Sequence, residues 1–315
     1  MAFDNASTAD EVLEGVDLSG RWVLVTGAAS GLGQETARAL AAHGANVVLG
    51  VRDVGRAEDA LAVIRAAAAA TGASVEVRPL DLASLASVRA FTDQVATDHE
   101  LLDVIIANAG VMATPEGRTD DGFETQFGVN HLGHFVLVNR LRPLLAGPAA
   151  RIVNLSSAGH RFGDVVLDDP FFERTPYDPW QAYGRSKTAN VLFAVELDRR
   201  GREAGVRAAA VHPGTIHTTL GRHLTPETIG VLPPARVGRE SMWKTIPAGA
   251  ATSVWAGFVA DADAVGGRYC EDCHVSEVTD DSADPTGVFA YALDPETAAA
   301  LWARSEELVG EAFPT

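Results

Sequence analysis

Tyr183 and Lys187 stand four residues apart in Ala182-Tyr183-Gly184-Arg185-Ser186-Lys187. On a helix that spacing puts both side chains on one face, one turn apart. A free phenol titrates at about 10, and a neighbouring ammonium favours the phenolate and lowers that value. A phenol tuned toward working pH is a general acid or base. The pair therefore offers proton transfer to or from a substrate oxygen. Such pairs also occur on plain helix surfaces, so the rest of the chain decides what this one means.

A second group of residues offers anion binding. Thr26-Gly27-Ala28-Ala29-Ser30-Gly31-Leu32-Gly33 joins the apolar run Trp22-Val23-Leu24-Val25 to a helical stretch over 34–42 that His43-Gly44 closes. Glycines let the backbone turn tightly and approach a pyrophosphate, and a helix N-terminus adds free N–H groups and a positive dipole end. The spacing is G-x-x-x-G-x-G. Set between a buried strand and a helix, it predicts a dinucleotide site at Gly27, Ser30, Gly31, Leu32 and Gly33.

The elements that must position these groups alternate. Further strands are predicted at 46–50, 75–80, 103–107, 151–155 and 206–211, with a short last strand at 267–270. Helices are predicted between them, among them 85–96, 123–145, 183–200 and 243–259. Apolar strands separated by helices give an α/β doubly wound, mostly parallel sheet with helices on both faces. Ligands bind beyond the carboxyl ends of such strands, where every motif here falls. Residues 1–20 read as a loose leader, and 21–315 as a single domain.

Bulk properties narrow the function classes. The 315 residues carry a formal charge of -17 and are 47% hydrophobic. That field repels nucleic acid and anionic membrane surfaces, so an anionic cofactor must be held by local features. Two cysteines, Cys270 and Cys273, exclude a disulfide framework and point to a reducing cytoplasm. The first twenty residues show no signal-peptide pattern, and no apolar run is long enough to span a bilayer. Cys270-Glu271-Asp272-Cys273-His274 matches the haem-attachment pattern, but without an export signal it reads as two reduced cysteines. His131 and His134 lack an acidic or cysteine partner and read as helix histidines that pack or hydrogen-bond near the site, so no metal is expected.

These motifs, in this order, resemble the short-chain dehydrogenases/reductases, whose fold is of the Rossmann type. Asp81-Leu82 falls where that family contacts adenine. Asn108-Ala109-Gly110 matches its N-A-G motif, Asn130 its helix asparagine, and Ser157 its active-site serine. Tyr183 and Lys187 match Y-x-x-x-K; Pro213 and Gly214, with Thr218 downstream, match the turn after the sixth strand. The resemblance covers about residues 19–275. It implies hydride transfer between NAD(P) and a carbonyl or alcohol carbon. Tyr183 would pass the proton, and Ser157 would hold the substrate oxygen. Lys187 would also hold the nicotinamide ribose, and Asn130 would anchor a relay water. Family members that prefer NAD carry an acidic residue at the position of Val51; here Arg52 follows an apolar residue, which favours NADP(H) over NAD(H). Members are commonly dimeric or tetrameric, which makes a homo-oligomer the expectation by resemblance.

Within the family, the stretches around Asn130 and Tyr183 are similar to retinol dehydrogenases and to the catalytic domain of the WW-domain oxidoreductase. The chain departs from them in showing neither a membrane-anchoring N-terminal helix nor WW domains. A small lipophilic carbonyl or alcohol is the expected substrate. Segment 158–182, with Phe162, Phe171, Phe172, Tyr177 and Trp180, reads as a loop that either walls a lipophilic pocket or packs its aromatics on the protein itself. Segment 215–242 corresponds to the family's substrate lid. The alternatives are a catalytically silent NADP(H)-binding regulatory protein and a double-bond reductase like the protochlorophyllide reductases. Intact Ser157, Tyr183 and Lys187 weigh against the first.

Overall fold

The computed structural model describes residues 3–145, 147, 150–230, 243–282 and 284–313. A short helix α1 (Ala9–Val12) precedes β1 (Trp22–Thr26), α2 (Gly31–Ala42), β2 (Asn46–Val51), α3 (Glu58–Thr71), β3 (Val75–Pro79), α4 (Leu85–Asp98) and β4 (Val104–Ala107). Then follow α5 (Thr125–Phe127), a π-helical turn Gly128–Leu132, α6 (Gly133–Leu141), β5 (Arg151–Leu155), α7 (Pro179–Gly201) and β6 (Arg207–His212). The chain continues through β7 (Thr215–Ile216), α8 (Pro226–Gly230), β8 (Trp243–Lys244), α9 (Ile246–Val254), α10 (Ala262–Val265), β9 (Tyr269–Glu271), β10 (His274–Val275) and α11 (Pro295–Val309).

The main sheet runs β10-β9-β6-β5-β4-β1-β2-β3, and only β10 is antiparallel to its neighbour. The chain starts at the centre, winds outward through β2 and β3, then returns to lay β4 on the other side of β1. That reversal opens a crevice at the carboxyl ends of β1 and β4. Both faces of the sheet are covered, which is why the strands read as unbroken apolar runs. Leu24, Ile105 and Ile152 point into the core built with α4, α6, α7 and α11, while Val23, Ile106 and Val153 join the opposite core with α2, α3 and α9.

Several expected boundaries move, each for a local reason. The leader is not loose: Thr8 and Glu11 form a reciprocal cap on α1, and Ala9, Val12 and Leu13 are buried in the core that includes α9. Asp178 accepts from the Gln181 N–H at 2.7 Å and Pro179 opens α7, so that helix begins a turn before Tyr183. The stretch expected as a helix over 123–145 is helical from Thr125 to Leu144, with a π turn at Gly128–Leu132 between α5 and α6 and a tighter last turn at Arg142–Leu144. Trp243 and Lys244 pair with β7 rather than starting a helix. The last strand turns into a hairpin through Asp272 and Cys273, both at positive φ (48° and 58°). Among the described residues, no helix is long and apolar enough to cross a membrane.

Candidate active site

The loop from β1 into α2 is forced to be glycine-rich. Gly27 sits at φ 73°, and a Cβ on Gly33 would lie 2.4 Å from the Gly27 carbonyl oxygen and 2.5 Å from Asn108 Nδ2. Ser30 precedes α2 without capping it; its hydroxyl lies 3.1 Å from that of Thr219. The first-turn N–H groups of α2 thus receive no side-chain cap at the mouth of the crevice, the arrangement that suits a phosphate.

Thr26 ties this loop to the one after β4. Its buried hydroxyl accepts from the peptide N–H groups of Asn108 and Ala109, each at 3.0 Å, and Asn108 Nδ2 donates to the Thr26 carbonyl at 2.8 Å. Having accepted twice, the hydroxyl donates to His134 Nε2 at 2.9 Å, which leaves the ring proton on Nδ1 for the Asn130 carbonyl at 3.0 Å. Burial holds the His134 pKa down to about 4, so the ring is neutral in this role. Sequence reading put Thr26 in the cofactor loop and His134 on a helix near the site, but not their bond, because their meeting depends on tertiary contact.

One cavity of about 840 Å³ runs along the crevice. Gly27, Ser30, Gly31, Leu32, Gly33, Arg52, Asp81, Leu82, Asn108, Ala109, Gly110, Ser157, Tyr183, Lys187, Pro213, Gly214 and Thr218 all line it. Asn130 alone of the sequence candidates does not. Its side chain faces the β4 loop, accepting from the Val111 N–H at 2.8 Å and donating to the Val111 carbonyl and to Ser186 Oγ. Both amide protons are committed, so the side chain clamps Val111, while its Oδ1, with two lone pairs, accepts one of its bonds from the Val111 N–H. At the other end, Asp53 bonds Arg56 at 3.2 Å, and among the described residues Arg52 forms no ion pair.

Tyr183 and Lys187 share a face of α7, with the lysine Nζ 5.8 Å from the centre of the tyrosine ring and donating to the Leu155 carbonyl at 3.0 Å. Ser157 caps the turn after β5 by accepting from the Gly159 N–H at 2.9 Å. The expectation of a lowered phenol does not hold. Burial pushes the Tyr183 pKa up to about 12, against an opposing hydrogen bond with Ser157. Burial also brings Lys187 down to about 8. Desolvation disfavours the charged form of each, and on the phenol it outweighs any help from the ammonium.

The aromatic segment divides between its two readings. Phe162 and Trp180 wall the cavity. Phe171 packs on Phe123 and Phe127, while Phe172 lies under the Arg185 guanidinium at 3.9 Å with Tyr177 against its edge. Of the lid segment, Leu220, Arg222, His223, Leu224 and Ile229 line the cavity; 231–242, with Pro233 and Pro234, lie outside the described residues. Met112, Asp284 and Pro285 also line it, and nothing in the sequence marked them. Cys270 and Cys273 are buried and free. His131 bonds Ser305, away from His134, and no metal-holding cluster occurs among the described residues.

A parallel sheet with an uncapped helix N-terminus, a glycine cradle and a Ser/Tyr/Lys group whose tyrosine and lysine are buried defines a dinucleotide-dependent oxidoreductase. The family model for short chain dehydrogenases matches residues 21–228. Human retinol dehydrogenase 14 is 41% identical over 305 residues, covering 93% of this chain and 87% of the relative. A probable oxidoreductase of Streptomyces lividans is 44% identical, covering 91% and 97%. A crystal structure of a Mycobacterium paratuberculosis protein superposes with a TM-score of 0.72 at 38% identity, covering 95% and 97%. The chain belongs to the short-chain dehydrogenase family and is an NAD(P)-dependent oxidoreductase.

Proposed function

We propose that the chain interconverts a lipophilic aldehyde or ketone with its alcohol, using NADP(H), with Tyr183 as general acid and base. The observation that carries this reading is a single cavity with the Ser157, Tyr183 and Lys187 side chains at one end and Arg52 at the other. The residues fit the cofactor: the uncapped start of α2 and the cradle around Gly33 suit a pyrophosphate, and the Arg52 guanidinium suits a ribose 2′-phosphate. When bound, the nicotinamide group supplies or takes the hydride.

The chain's own groups manage the proton and the oxygen. With its pKa near 12, Tyr183 stays protonated at neutral pH and is ready to donate to a carbonyl oxygen. Ser157 holds that oxygen in place and steadies its developing charge. Lys187, charged below about pH 8, favours the phenolate that proton donation leaves behind. In the direction of oxidation the phenolate accepts the proton instead. Met112, Phe162, Trp180, Leu224 and Ile229 give the substrate end its apolar wall and keep water out. The two free buried cysteines fit a reducing compartment, and we place the enzyme in the cytoplasm.

The test is a screen of NADPH and NADH oxidation against aldehydes, ketones and quinones, with Tyr183→Phe beside the wild type. Expected are turnover with NADPH and a loss of about 10²–10⁴-fold in the variant with dinucleotide binding kept. Full activity in the variant refutes the role of Tyr183.

A further inference from the structure

Behind the Ser157 turn lies a buried histidine that the proposed reaction does not use. His160 follows Ser157 by three residues, and its two ring nitrogens face different parts of the chain. Nδ1 lies 2.8 Å from the Ser157 carbonyl oxygen, and Nε2 lies 3.1 Å from the Phe289 peptide nitrogen. A peptide N–H only donates and a carbonyl only accepts. Nε2 is therefore the acceptor, and the ring proton sits on Nδ1. The imidazole is a bridge of fixed polarity between the backbone of Ser157 and the segment 284–293.

That segment is strapped across the site by other bonds. Tyr291 donates its hydroxyl to the His160 carbonyl at 2.7 Å, Arg161 donates to the Gly287 carbonyl at 2.6 Å, and the Gly287 N–H donates to Glu271 at 2.6 Å. The strap also places Asp284 and Pro285 on the cavity wall. One element thus borders substrate space and reaches the backbone that carries the Ser157 hydroxyl, through the ring and, beside it, through the Tyr291 bond to the His160 carbonyl.

We propose that His160 is a positioning residue that couples the strap 284–293 to Ser157, and that this coupling makes the strap a specificity element of the reaction. Its Nδ1 bond, beside the His160 peptide N–H on the same carbonyl at 3.0 Å, steadies the backbone from which the Ser157 hydroxyl points; its Nε2 bond steadies the strap beside the substrate. The inference rests on Ser157 holding the reacting oxygen.

The two bonds separate by substitution. An asparagine amide reaches the place of Nδ1, so His160→Asn keeps the side-chain bond to Ser157 and loses the Phe289 bond to the strap, whose other bonds stay. A glutamine amide reaches the place of Nε2, so His160→Gln keeps the Phe289 bond and loses the side-chain bond to the Ser157 carbonyl, which retains the peptide N–H of residue 160. With saturating NADPH, His160→Gln is expected to lower kcat about tenfold for a small and a bulky carbonyl alike, with little change in KM. His160→Asn is expected to raise KM about tenfold for the bulky carbonyl, with kcat within about threefold of wild type. Dinucleotide affinity stays unchanged in both. Equal loss of kcat in both variants with KM unmoved overturns the coupling. Nitrogen-15 spectra of histidine-labelled wild type give a reading that needs no variant to fold: a protonated Nδ1 is expected, and a protonated Nε2 overturns the proposal. Tyr183→Phe run alongside keeps the two readings apart, since full activity there fails the proton-transfer assignment whatever His160 does.

Discussion

Replacing Thr26 by valine removes one oxygen and three hydrogen bonds. The substitution keeps the size and branching of the side chain at a position with no solvent exposure. It strands the peptide N–H of Ala109, leaves His134 Nε2 without its donor, and leaves the Asn108 N–H only its bond to the Ile106 carbonyl at 3.0 Å. Each buried group left unsatisfied costs about 1–3 kcal/mol, so even the low end for these two sums to about 2 kcal/mol. Thr26→Ser keeps the hydroxyl and forfeits one methyl, about 1 kcal/mol. Urea unfolding reads both, as a fall in midpoint at constant slope. Because Asn108 and Ala109 line the cavity, the valine variant should also bind dinucleotide more weakly, while the serine variant should not. A valine variant within about 0.5 kcal/mol of wild type, or a serine variant that loses as much as valine, refutes the reasoning.

Three further outcomes follow from the same geometry. Arg52→Glu should weaken NADPH binding by about 10- to 100-fold and leave NADH binding nearly unchanged in calorimetric titration; a parallel loss of both contradicts the assignment. Carbonyl reduction should hold steady below about pH 8 and fall above it, because Lys187, lowered by burial to about 8, is charged below that value and neutral above it; a profile flat to pH 10 contradicts its role. Burial pushes Cys270 up to about 12 and Cys273 up to about 11, so both are thiols at neutral pH and should resist iodoacetamide until the chain unfolds; prompt labelling of the native protein argues otherwise.

What the sequence revealed depended on how local the cause was. Alternating apolar strands and helices come from periodicity within short windows, so the parallel sheet and the glycine loop were legible from patterns alone. The capping box of Thr8 and Glu11 was also there to be read, but a one-turn helix carries too few residues to stand out from an acidic leader. The final hairpin was hidden because its two turn positions, usually glycine or asparagine, are Asp272 and Cys273. Lys187 and Tyr183 were placed correctly relative to each other by helical spacing. The upward shift of the phenol was not foreseen, because desolvation depends on everything packed around α7. The bonds from Thr26 to His134 and from His160 to Phe289 join residues more than a hundred positions apart, and no local pattern encodes them.

The central claim is that a dinucleotide lies along this crevice with its reactive end beside Tyr183 and Ser157. A crystal structure with NADP+ bound tests it most directly. The account predicts the 2′-phosphate against Arg52, the pyrophosphate at the start of α2, and the nicotinamide facing the Tyr183 hydroxyl. A dinucleotide seated elsewhere, or a Tyr183 hydroxyl turned away from the ring, would contradict it.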